Sequence, residues 1–231
     1  MTFSIVHLLP ELLGTYGDRG NVDVLSWRLS QRNIDNEVLT IRVGEAIPIN
    51  ADLYLLGGGE DDAQIAASEI LDRLGVMRKV INSGGHIFAV CAGFQLLGSV
   101  FPASGGREIP GLGILPVETL PGAVRSVGEL LADPTIPIAL LTGFENHGGQ
   151  TNFLEESQSL GQVLRGIGNG VETLDEGIIT DQVVATYMHG PALVRNPELA
   201  DWILQRIIGE MTPLEAPIFT KLHAERVSAF K

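Results

Sequence analysis

Apolar residues in the first half of the chain fall in short blocks separated by glycine-rich or polar turns, and the blocks alternate between strand-like and helix-like spacing. Phe3–Leu9 is apolar, rich in β-branched residues and closed by Pro10, which predicts a first core strand. After the turn-forming stretch Gly14–Asn21, Val22, Leu25 and Leu29 give a helix running to about Arg32, with Asn21 as its expected N-cap. Glu37–Val43 alternates polar and apolar side chains as a strand nearer a sheet edge, and Asp52–Leu56 is a buried strand running into Gly57-Gly58-Gly59. Ala66, Ile70, Leu74 and Met77 repeat at helical spacing after a cap at Asp61 and carry one helix toward Ser83. Ile87–Val90 is a further buried strand, and Phe94, Leu96 and Leu97 open a helix directly behind it. This order predicts an α/β fold: a doubly wound, mostly parallel sheet flanked by helices.

The second half is richer in glycine and proline. Residues 102–122 predict a long irregular crossing, Pro137–Gly143 a strand opening into a Phe144–Gly149 turn, and the short runs at 162–164 and 177–179 β-hairpins. Val183–Met188 is the last core strand, followed by His189-Gly190-Pro191. Asn196 and Pro197 then open a helix with Leu199, Trp202, Ile203 and Ile207 on one face. Core strands resume after every loop, so residues 1–231 are expected to form a single domain.

Charge narrows the function. A formal net charge of −13 with no Lys/Arg cluster excludes a nucleic-acid backbone or an anionic membrane surface as the main partner. One cysteine excludes an internal disulfide. Met1–Pro10 lacks the charged start and long apolar run of a signal peptide, so a cytoplasmic protein without membrane insertion is expected.

That one cysteine sits where chemistry is easiest to build. Ala89-Val90-Cys91-Ala92-Gly93 places it at a strand-to-helix turn between small neighbours, the spacing of a nucleophile elbow, and a helix N-terminus beside the thiol favours thiolate. A lone cysteine can also be a small buried hydrophobe, but the glycine frame favours a nucleophile. Such a thiol needs a base. Of five histidines, His7 and His86 lie in or beside core strands and His223 lies in the C-terminal tail. His147 and His189 follow strands in glycine-flanked turns; His189 is the preferred base and His147 the reserve. The Gly57–Gly59 strand end lets backbone N–H groups approach a ligand, to bind a phosphate or to form an oxyanion hole; no Lys-Ser or Lys-Thr follows, so a P-loop is unsupported.

Gly57-Gly58-Gly59, Cys91-Ala92-Gly93-Phe94-Gln95 and Tyr187-Met188-His189-Gly190-Pro191 together resemble the class I glutamine amidotransferases of the branch related to cobyric acid synthase. Leu13–Asn21, Gly57–Asp61 and Gly143–Gly149 resemble, within it, the small stand-alone glutaminase subunits of lipid II isoglutaminyl synthases. The resemblance covers nearly the whole chain. It implies that Cys91 attacks the side-chain amide of glutamine, His189 shuttles the proton, and the N–H groups of Gly58 and Ala92 stabilise the oxyanion. It further implies that Gln95 contacts bound glutamine and that Arg125 holds its α-carboxylate. No cofactor and no metal are called for. Ammonia would pass to a MurT-like synthetase of the Mur-ligase family, since nothing in this chain resembles an ATP site. Corrinoid amidation for another ligase, or a non-enzymatic regulatory subunit of the same fold, are the alternatives.

One position departs from relatives with a full triad, which carry an acid two residues after the histidine where this chain has Pro191. The third member is therefore expected either from Glu145, in the same predicted turn as His147, or from the partner. In the second case the isolated chain is a poor glutaminase until complex formation orients His189.

Overall fold

A computed structural model describes residues 2–230. Its main sheet has six strands in the order β11 (Ile178–Ile179), β12 (Val183–Thr186), β4 (His86–Val90), β3 (Leu53–Leu56), β1 (Phe3–Leu8), β2 (Asn36–Ile41). All neighbours pair in parallel except β11, which runs antiparallel to β12. The middle strands β3, β12 and most of β4 are buried on both faces, which explains their continuous apolar runs, whereas β2 at the edge is only half-buried along its length.

Helix α1 (Arg19–Ser30) links β1 to β2, and α2 (Asp61–Leu74) with α3 (Val76–Asn82) links β3 to β4. The chain leaves β1 in one direction along the sheet and β3 in the other, so right-handed crossovers place the two helix groups on opposite faces. Helices α5 (Ala192–Arg195), α6 (Pro197–Ile208) and α7 (Pro217–Ser228) join the α1 group, while the short α4 (Ala92–Leu97) packs with α2. The expected doubly wound, mostly parallel α/β sheet flanked by helices is present.

Local boundaries differ where backbone chemistry decides. The helix read as continuous through Met77 breaks at Gly75, whose φ of 56° ends α2 in the left-handed region. Helix α1 starts before Asn21, whose side chain instead accepts a hydrogen bond from the Leu193 N–H at 2.9 Å. Stretch 102–122 is not an irregular crossing: β5 (Val100–Ala103) and β6 (Arg107–Pro110) form a two-stranded hairpin, and the 18-residue β7 (Val117–Pro134) begins within it. Its prolines are tolerated because a two-stranded ribbon has only edges and because Pro121 stands where the β7 ladder breaks. Strand β8 (Leu141–Phe153) pairs with β7 along its length and carries Phe144–Gly149 as strand, not turn. With β9 (Gly161–Arg165) and β10 (Asp175–Glu176) they form a second, antiparallel sheet, which holds the extra hairpins anticipated for this half. Among the described residues no helix is long and apolar enough to cross a membrane.

The β4–α4 junction is packed to its limit. A Cβ on Gly93 would lie 2.7 Å from the Leu56 carbonyl oxygen and 2.8 Å from the Leu56 Cβ. Gly93→Ala should therefore lower the unfolding free energy by about 1–3 kcal/mol through overpacking. Urea denaturation checks this, and an unchanged midpoint would contradict it.

Candidate active site

Four parallel strands deliver their carboxyl ends to one edge of the main sheet: β1 gives the loop Leu9–Asp18, β3 gives Gly57–Gly59, β4 gives Cys91 and β12 gives His189. This is where open α/β sheets bind ligands. Cys91 stands at φ 51°, ψ −106°, a conformation that costs a non-glycine residue on the order of 1–3 kcal/mol and is characteristic of a nucleophile elbow. It is 7% exposed, so its thiol meets solvent only through the cleft above it. That cleft is lined by Tyr16, Gly59, Glu60, Asp61, Gln64, Cys91, Ala92, Gln95, Arg125, Asn146 and His147.

His189, 1% exposed, closes the inner side. Its Nδ1 lies 3.2 Å from Asp18 Oδ1, its Nε2 has no hydrogen-bonding partner among the described residues, and the Tyr16 ring packs on it at 4.8 Å. Burial pulls the imidazole pKa down, but the hydrogen bond to Asp18 and the neighbouring Cys91 sulfur outweigh it and hold the ring at about 10. At neutral pH the site therefore pairs imidazolium with the sulfur. Gly58 makes the approach possible, since a Cβ there would stand 2.7 Å from His189 Cε1.

The sequence expectations divide at this point. Cys91, Ala92, Gln95 and Arg125 line one cleft, and His189 stands beside it. Arg125 lies on the stretch of β7 whose pairing with β8 breaks between Pro121 and Ser126; the irregularity turns it toward the cleft, where its Nε donates to Asn146 Oδ1 at 3.0 Å. Asn146 in turn donates to the Tyr16 hydroxyl at 2.7 Å. Gln95 is held from behind: its Oε1 accepts from Gln64 Nε2 at 3.0 Å and its Nε2 donates to the Tyr187 hydroxyl at 3.2 Å.

Two expectations are corrected. The Gly58 N–H donates to Asp18 Oδ2 at 2.7 Å, so it is committed within the protein, whereas among the described residues no acceptor is found for the N–H groups of Gly59 and Ala92, both in the cleft wall. Glu145 does not reach His189. Its carboxylate accepts the N–H groups of Ile167 at 2.9 Å and Gly168 at 2.8 Å, which ties β8 to the Gly166–Gly170 loop, and its nearest imidazole is His147 at 3.8 Å. His147, the reserve base, stacks on Tyr187 at 3.8 Å and has Nδ1 on the Gly149 carbonyl oxygen, so it supports the wall. The acid beside His189 is Asp18, whose role the sequence alone does not fix. Its signal was its place in Gly14–Asn21, at the carboxyl end of the first core strand.

Among the described residues no group of three or more metal-ligating side chains is assembled. A separate cavity of about 170 Å³ between α6 and α7, lined by Arg28, Asn196, Asp201 and His223 among others, contains no cysteine.

One buried acid near the site has an electrostatic consequence of its own. Glu176 is fully buried, accepts from the Thr186 hydroxyl and from the Tyr187 N–H at 3.0 Å, and leaves Oε2 unpaired. Burial raises its pKa to about 7, opposed by those two hydrogen bonds and reinforced by Glu145. Between about pH 4.5 and 7 the folded chain keeps this proton while the unfolded chain loses it, so stability falls as pH rises through that window. Glu176→Gln should remove the fall, gaining on the order of 3 kcal/mol more at pH 8 than at pH 4 relative to the parent. Denaturant unfolding at the two pH values checks this; equal differences at both would contradict it.

The comparisons agree with the geometry. Residues 4–197 match the model of the CobB/CobQ-like glutamine amidotransferase domain. The chain is 34% identical over 205 residues to the lipid II isoglutaminyl synthase (glutamine-hydrolyzing) subunit GatD of Staphylococcus aureus, covering 88% of this chain and 83% of that protein. It is 34% identical over 200 residues to the GatD of Streptococcus pneumoniae, covering 85% and 77%. Cobyric acid synthase of Thermodesulfovibrio yellowstonii is 31% identical over 68% of this chain, which spans 32% of that longer protein. A crystal structure of a glutamine amidotransferase, 19% identical, superposes with a TM-score of 0.59 over 87% of this chain and 98% of its own, and shares the fold. The elbow cysteine, its histidine and the matched relatives lead to one assignment: the chain belongs to the CobB/CobQ-like glutamine amidotransferase family.

Proposed function

We propose that this chain is the glutamine-hydrolysing subunit of a lipid II isoglutaminyl synthase. In this reading it releases ammonia from glutamine and delivers it to a MurT-like, ATP-dependent synthetase of the Mur-ligase family, which amidates D-glutamate in the peptidoglycan precursor to D-isoglutamine. The observation that carries the chemistry is the placement of Cys91 and Arg125 in one cleft with His189 beside the cysteine. The choice of acceptor and partner rests on the two GatD relatives, matched over most of both chains. Lipid II precursors and ATP are met on the cytoplasmic side of the membrane, so the complex works there.

The steps follow from the groups present. Arg125 takes the α-carboxylate of glutamine and places its side-chain amide over the elbow. Cys91 Sγ, held as thiolate by the His189 imidazolium, attacks the amide carbon. The resulting oxyanion is received by the N–H groups of Ala92 and Gly59 in place of the committed Gly58. His189 Nε2 hands its proton to the leaving nitrogen, and ammonia departs, leaving a γ-glutamyl thioester. Water then gives a proton to His189 and attacks the thioester, releasing glutamate and restoring the pair.

In the complex with its synthetase, Cys91→Ser should abolish ammonia release while the far-UV circular dichroism stays parental. Normal turnover in that variant would defeat the mechanism. Arg125→Ala removes a charge-assisted contact and should raise the KM for glutamine about 10–100-fold with a smaller change in kcat. An unchanged KM would remove Arg125 from the substrate site. Supplying lipid II, ATP and glutamine tests the acceptor: D-isoglutamine in the stem peptide supports the reading, and ammonia release without amidated lipid II overturns it.

A further inference from the structure

Asp18 is a buried carboxylate, 3% exposed, in the glycine-rich stretch Gly14–Asn21. A buried charge is retained only where partners compensate its lost hydration. At the start of α1 an aspartate would ordinarily cap its own helix. Asp18 makes no such bond and sits in the right-handed helical region, with its carboxylate directed away from the α1 amides. Both oxygens instead go to the reaction centre: Oδ1 to His189 Nδ1 at 3.2 Å, Oδ2 to the Gly58 N–H at 2.7 Å. The surrounding glycines keep this corner open. A Cβ on Gly57 would fall 3.1 Å from Asp18 Oδ2, one on Gly58 would meet the His189 ring, and one on Gly20 would strike Pro191 Cγ at 2.4 Å.

We propose that Asp18 is the positioning residue of this active site, doing from the loop after β1 what an acid two residues beyond the histidine does in full-triad relatives. The inference rests on the glutaminase reading above and adds to it the residue that orients the base. A carboxylate on Nδ1 fixes the tautomer in which Nδ1 carries hydrogen and leaves Nε2 for the cysteine, and it balances the imidazolium during proton transfer. Through its other oxygen the same side chain holds the Gly57–Gly58 peptide, while the next peptide, which carries the Gly59 N–H, is held through the Gly58 carbonyl oxygen accepting from the Thr15 N–H at 3.1 Å.

The ionisable groups facing His189 are Asp18 and Tyr16 from the loop after β1, Cys91 after β4 and Glu176 from β10, with the Arg195 guanidinium against the adjacent Gly190. Only Asp18 is within hydrogen-bonding distance of Nδ1. The test compares the parent, Asp18→Asn and Asp18→Ser by two readouts. The first is glutamine hydrolysis in the complex with the synthetase, where kcat should fall about 10²–10⁴-fold with KM changed less than about threefold. The second is alkylation of Cys91 by iodoacetamide across pH on the chain alone, which needs no glutamine. The parent should react at a plateau through neutral pH. Both variants should lose that plateau, as His189→Ala does. Adding Asp18→Asn to His189→Ala should change the alkylation profile no further. Should Asp18→Asn fail to fold, Asp18→Ser carries the comparison.

A parental kcat, or a reduced kcat with a parental alkylation profile, would overturn the assignment, because a merely structural residue leaves the thiol's titration in place. If the parent hydrolyses no glutamine yet the alkylation profile shifts as stated, the glutaminase reading falls and the role of Asp18 stands.

Discussion

The register of three parallel strands is the constraint on which the site depends. Ala89 of β4 lies opposite Leu56 of β3 and Ala185 of β12. Counting outward from that row, the elbow cysteine stands two residues beyond Ala89, Gly58 two beyond Leu56, and His189 four beyond Ala185. Side chains alternate faces along each strand, so a slip of one residue in either pairing would reverse the facing of every residue in the slipped strand and part thiol from imidazole. Burial on both faces of these strands resists such a slip, because each has no polar face to exchange for its apolar one.

The second requirement is electrostatic. A chain with a net charge of −13 buries several carboxylates near one edge of its sheet, and each is handled differently. Asp18 is compensated by an imidazolium and an amide, and Glu145 by two amides of one loop. Glu176, with one oxygen unpaired, is accommodated by retaining its proton. Around Gln95 the hydroxyls of Tyr187, Thr151 and Thr119 form a chain of hydrogen bonds, 2.6 Å and 2.8 Å between successive oxygens, that stiffens the wall opposite the cysteine. On the far side of the molecule Arg28 and Arg32 share Asp201, binding α1 to α6 and so supporting the helix that leads into the Asp18 loop from behind.

The sheet and its two best site residues were legible because they are written locally. Apolar blocks closed by glycine announce β3, β4 and β12, and Cys91 and His189 follow such blocks directly. Glu145 and His147 were misplaced because Gly143, Gly148 and Gly149 read as a turn. Yet Glu145, His147, Gly149 and Thr151 alternate with more exposed neighbours, the period-two signature of the strand they occupy. Arg125 was reached only through the family resemblance, since its orientation depends on a break in a ladder with residues far along the chain. Asp18 was not legible at all as an acid for His189: 171 residues separate them, and a short loop of glycine, aspartate and asparagine looks the same whether it turns the chain or holds a base.

The central claim is that Cys91 becomes covalently acylated by a glutamine-shaped electrophile while seated beside His189. Incubating the chain and its synthetase with 6-diazo-5-oxo-L-norleucine, a glutamine-like diazoketone, and mapping the adduct by peptide mass spectrometry tests it most directly. One adduct on Cys91, prevented by excess glutamine and lost in His189→Ala, is the predicted result. Labelling that ignores glutamine, or that falls on a residue other than Cys91, would contradict it.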